Sequence, residues 1–170
     1  MAIKPLTVAS WGLLGQLWAT VGDPIKTRLL KELQAQLAEI PELGSVQRWE
    51  DVPADLNEYS LPALFFWEEE EKEDINRLTH GILDFWLQVF FSLDSDDPAN
   101  YTAFSEAADT VAGRIGNLFT DNRYLRSVGL IRAEPGRIIK AKHNPDYGVL
   151  FMSYSLLYGH ARGDAFTTQI

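Results

Sequence analysis

Residues 61–93 read LPALFFWEEEEKEDINRLTHGILDFWLQVFFSL, and the fold follows from their pattern. Leu61 to Trp67 is a continuous apolar run too short for a stable helix, which suits a strand buried on both faces. Pro62 sits at its start, where a missing N–H is tolerated. Further on, Leu83, Phe85, Leu87, Val89, Phe91 and Leu93 alternate with Asp84, Trp86, Gln88, Phe90 and Ser92, and the first set is expected to face the core. The second set mixes polar groups with Trp86 and Phe90, so the outer face is partly apolar and calls for a cover or a subunit contact. We expect a helix to supply that cover, because an α+β fold must shield a greasy sheet face before offering one to a partner. Between the strands, the acidic run Glu68 to Asp74 reads as the solvated connector of a long hairpin.

Helical spacing flanks this stretch on both sides. Asp23-Pro24 reads as a cap followed by proline at the first helical position, after which Ile25, Leu29, Leu30, Leu33, Leu37 and Ile40 recur on one face. Pro41 and Gly44 end that helix, and Ser45 to Glu50 reads as a short strand with Val46 and Trp49. Asp97-Pro98 repeats the acidic-cap-then-proline device and opens a second helix running to Phe119, with Phe104, Ala107, Ala108, Val111, Ile115, Leu118 and Phe119 on one side. Tyr124 to Ala133 and Arg137 to Lys142 flank Glu134-Pro135-Gly136, which reads as a hairpin turn. Val149 to Tyr158 alternates as a last strand. The expected fold is therefore α+β: a mostly antiparallel β-sheet with two main helices packed on one side, plus an N-terminal arm. We divide the chain into an arm or short helix at 1–22, a single domain at 23–158 and a tail at 159–170.

Composition narrows the chemistry. A chain of 170 residues suits one domain, which at this size buries roughly 70% of the surface its unfolded chain exposes. The chain has no cysteine, which removes disulfides, thiolate metal sites and cysteine nucleophiles together and suits a reducing compartment. A net charge of −9 argues against a protein built to grip the phosphate backbone. The apolar segment between Ile3 and Val21 is interrupted by Ser10, Gly12, Gly15 and Gln16, so it reads as a docking arm rather than a signal or a membrane span. His80, His143 and His160 lie in different elements with no helical spacing to share a metal. No serine sits in a glycine-flanked nucleophile turn, and Asp94, Asp96 and Asp97 lack the remaining ligands of a calcium loop. We expect no catalytic residue, no metal and no cofactor. The clearest interaction signal is a sign asymmetry, with the basic residues Arg123, Arg126, Arg132, Arg137, Lys140 and Lys142 concentrated late in the chain, opposite in sign to the Glu68–Glu71 run. Unlike patches of that kind can meet head to tail in a ring.

The succession of the Ile25–Ile40 helix, the LPALFF strand, the long alternating strand to Leu93, the helix after Asp97-Pro98 and the closing Val149–Tyr158 strand resembles the lambda-like tail terminator and minor tail (neck) proteins of tailed bacteriophages. The resemblance covers roughly residues 23–158 and rests on element order. It implies a structural virion protein without enzyme activity. Such a protein assembles in the host cytoplasm as a homohexameric ring at the head-proximal end of the tail. There it ends tube growth and contacts the tail tube protein and the head–tail connector or stopper protein. DNA would pass through without specific binding, and no membrane is involved. On this reading Glu68, Glu69, Glu70 and Glu71 are candidates for the lumen or its rim, Trp86 and Phe90 for helix cover or subunit contact, and Arg123, Arg126, Arg132, Arg137 and Lys140 for a basic interface. The competing readings are another neck ring protein, a cytosolic adaptor or ligand-binding domain with a pocket roofed by Phe90 and Trp86, and a hydrolase using the acidic run with a histidine.

Overall fold

The alternating stretch after residue 80 forms the central strand of a five-stranded sheet. The computed structural model describes residues 24–48, 55–73, 80–93, 98–120, 122–144 and 146–159. In chain order these form α1 (Ile25–Ala38), β1 (Ser45–Arg48), a 3-10 turn (Leu56–Glu58), β2 (Ala63–Glu73), β3 (His80–Ser92), α2 (Pro98–Thr120), α3 (Arg123–Ser127), β4 (Leu130–Asn144) and β5 (Tyr147–Gly159). The strand order is β1-β2-β3-β5-β4. β1 runs parallel to β2, and every other pairing is antiparallel.

The two faces of this sheet differ in what covers them. Leu64 and Phe66 of β2, Leu83, Phe85, Leu87, Val89 and Phe91 of β3, and Leu150, Met152, Tyr154, Leu156 and Tyr158 of β5 form one buried cluster with the helices. α1 contributes Ile25, Leu29, Leu30, Leu33 and Leu37, all of them buried. Each such side chain stabilises the fold by about 1.5–3 kcal/mol relative to exposure. α2 adds Phe104, Ala108, Val111, Ile115 and Phe119. The expected α+β architecture, with its helices on one side of a mostly antiparallel sheet, is what the chain adopts. Ala107, placed on the apolar side by spacing, is exposed; the packed small residue is Ala108.

Three expectations change. The acidic run is not a loop: Glu68 to Glu73 continue β2, with Glu71 opposite Leu83 and Glu73 opposite Gly81 across β3. A bulge between Glu68 and Glu70 absorbs one residue, and no strand among the described residues flanks this half of β2 on the side away from β3. Charged residues along such an edge discourage unwanted pairing. Second, Glu134-Pro135-Gly136 is not a turn. It is a bulge inside the single long strand β4, between the Pro135–Tyr154 and Ile138–Met152 pairs. Proline is accommodated because β4 is an edge strand, and Gly136 because a Cβ there would overlap the Ser153 hydroxyl. Third, residues 123–127 are a helical turn rather than strand. Asn122 caps it by accepting hydrogen bonds from the Tyr124 and Leu125 amides at 2.8 and 3.2 Å, and Gly129, at φ 111°, lets the chain leave the turn for β4. The arm at 1–22, the cap residues Asp23 and Asp97, Trp49 and the tail from His160 onward lie outside the described residues.

Candidate interaction surface

Away from the helices, the second face of the sheet carries Ala63, Phe65, Phe90 and Val149 as a small separate cluster. Its cover comes from the segment before β2: Leu56, Tyr59 and Leu61 pack on it. The Tyr59 ring meets Phe65 edge-on at 4.9 Å, and Phe65 meets Phe90 edge-on at 5.8 Å. The Tyr147 hydroxyl donates to Asn57 Oδ1 at 3.3 Å and pins the same segment from β5. Phe90, at 4% exposure, is thus sealed by a loop. Among the described residues the cover of Phe90 comes from this loop and not from the expected helix, since α1, α2 and α3 pack on the opposite face.

Trp86 lies farther along this face and stays half-buried. Its indole N–H donates to Glu69 Oε2 at 2.5 Å, and no helix among the described residues packs over it. Beside it, Asp84 accepts a hydrogen bond from the Ser155 hydroxyl. Glu69, Asp84, Trp86, Gly136, Ser153 and Ser155 line a shallow notch of about 170 Å³. That is well under the ~300–1,000 Å³ of ordinary ligand pockets, and Phe90 is not among the residues that line it. Its described lining includes no histidine, and Ser155 donates to the Asp84 carboxylate.

Glu68 and Glu69 have different partners. Glu68 bonds Arg48 at 2.6 Å and approaches Lys26 at 3.9 Å. Glu69 instead serves Trp86 on the second face. Glu70 and Glu71 sit on the outer half of β2, opposite Asp84 and Leu83.

The basic candidates divide as well. Arg123 and Arg126 belong to α3. The Arg123 guanidinium donates to the Tyr124 hydroxyl at 3.1 Å and lies 5.0 Å from that ring's centre. The hydrogen bond holds it above its ordinary protonation range. Arg126 donates to the Thr120 carbonyl at 3.3 Å. Arg132, Arg137 and Lys140 belong to β4, with Arg132 paired to Glu134 at 3.0 Å and Lys140 to Asp109 at 2.8 Å.

Sequence reading missed the apolar side of this edge. Ile131, Ile138 and Ile139 of β4 are 45%, 55% and 45% exposed, unlike any other isoleucine or leucine among the described residues. Once residues 130–144 are taken as one edge strand, their position becomes visible in the pattern. Read as a hairpin, they pass for the inner side of two strands.

His80 and His143 stand near opposite ends of the sheet, since His80 pairs with Gly159 and the residue after His143 pairs with Tyr147. Among the described residues no group of three or more metal-binding side chains is close enough to hold an ion. None of the described helices is long and apolar enough to cross a membrane. No protein-family model matches the chain, and no curated protein matches it.

Proposed function

We propose that this chain is a structural virion protein, a tail terminator. It would assemble as a ring at the head-proximal end of a phage tail tube, end tube growth and join the tail to the head connector. One observation carries the assembly: the sheet ends in two unlike edges, an acidic one along the outer half of β2 and a basic, isoleucine-bearing one along β4. Unlike edges on one subunit make heterologous contacts, and heterologous contacts that close make rings. The order of helices and strands, similar to that of the lambda-like terminators, supports placing such a ring in a tail. Each copy brings a net charge of −9, so a ring of them would repel DNA in transit instead of binding it. No catalytic step is assigned to the protein.

The test is negative-stain microscopy of tailed particles from the source, labelled with an antibody against this chain. Label confined to the head-proximal end of the tail is the expected result. Label at the capsid vertex alone would move the protein to the connector, and unlabelled particles would remove it from the virion.

A further inference from the structure

We infer that neighbouring copies join edge to edge, with β4 of one copy extending the sheet of the next by pairing with the outer half of its β2. The inference rests on the ring reading and names the contact that would build it.

Four observations support it. β4 is the last strand of the sheet on its side, and three of its exposed residues are isoleucines. β1 covers β2 only as far as the Arg48–Phe66 pair, so β2 continues from Glu68 to Glu73 with β3 as its strand partner. Hydrogen-bonding edges of this kind are templates for another strand. Their sequences also match in charge: RIIKAK at 137–142 against EEEEKE at 68–73. Opposite charges facing across a strand pair favour it, and like charges disfavour each edge meeting its own copy.

Geometry selects how the edges meet. The Pro135-Gly136 bulge disrupts the upper part of β4, whereas Ile138 to Lys142 pair regularly with β5. β1 blocks the lower half of β2. Bringing the regular part of β4 to the open part of β2 therefore staggers successive copies along the strands. Within one copy, Glu71 is level with Leu83, Leu156 and Ala133. Moving Ile139, level with Phe151, up to that height spans roughly 5 residues, about 17 Å at ~3.3 Å each. The four strands from β2 to β4 at ~4.8 Å span about 19 Å, so the stagger corresponds to strands tilted by roughly 41°, within the ~35–45° that closed β-barrels adopt. The strand directions make the new pairing antiparallel, like its neighbours.

The absence of cysteine makes the test direct, because any introduced thiol is the sole one. Glu71→Cys or Lys72→Cys on one edge and Ile138→Cys or Ile139→Cys on the other sample both faces of each strand. The full chains, checked for folding by circular dichroism, are mixed at several concentrations, oxidised mildly and separated without reductant. A β2-edge variant mixed with a β4-edge variant should give a cross-linked dimer, and a chain carrying both cysteines a ladder ending at the ring. Each single variant alone should give neither. Native mass spectrometry then separates the failures. A ring that forms without these cross-links, or Ile139→Cys pairing with itself, overturns the edge contact and leaves the terminator reading standing. Chains that remain monomeric at every concentration overturn the edge contact, and the antibody label decides the terminator reading independently.

Discussion

Tyr154 shows how one side chain couples the core to the solvent's pH. It stacks on Phe85 at 5.8 Å and leans on Phe119 at 4.5 Å, and burial pushes its phenol above the ordinary 10.0. The unfolded chain loses this proton first, so the native state gains nothing from it below about pH 10 and loses stability as the pH rises towards the folded value. Tyr154→Phe should change stability near neutral pH by less than about 1 kcal/mol and flatten the alkaline limb. Urea titrations at neutral pH and above pH 10 would measure both, and an equally steep limb in the variant would assign the loss to other groups. Trp86 makes a contrasting case: its alternation with core residues was legible, but its partner was not. The indole's hydrogen bond to Glu69 depends on a bulge that shifts the β2 register by one residue, and no residue in the acidic run marks where that bulge falls.

At the scale of elements, the bulge in β4 lends itself to a mutational test. The Arg137 amide donates to Ser153 Oγ at 2.8 Å, in the space a side chain at position 136 would occupy. Gly136→Ala should force Ser153 to turn away and cost about 1–2 kcal/mol for the lost hydrogen bond and local strain. In a Ser153→Ala background the same change should cost much less, and a double-mutant cycle by chemical denaturation measures the difference. The elements themselves were largely legible. Leu29, Leu33 and Leu37 recur at helical spacing, and Leu83 to Leu93 alternate, because burial on one side imposes those periods. The errors arose where two physical causes share one residue signature. Pro-Gly marks a turn and also an edge-strand bulge, and a run of glutamates suits a loop as well as the unpaired side of a strand. The loop that packs on Phe90 was not legible for a different reason: Leu56, Tyr59 and Leu61 precede β2 in a polar stretch with no period, and only the chain's path brings them onto the second face.

For the whole molecule, the consequence of unlike edges is electrostatic as well as geometric. If Arg137 and its neighbours meet the glutamates of the next copy, assembly should weaken several-fold between about 0.05 M and about 0.5 M salt, as the Debye length shrinks from above ~10 Å to below ~5 Å. Sedimentation across that range would measure it, and a salt-indifferent ring would point to the isoleucines alone. The position of β5 adds a mechanical property. The last described strand lies inside the sheet, paired with β3 along all of its 13 residues and with β4 on its other side. Tension applied beyond Gly159 runs along the strand, so it must shear both ladders at once and cannot peel them open one pair at a time. Among the described strands β5 is thus placed to carry a load along its axis, with a ladder on each side to share it.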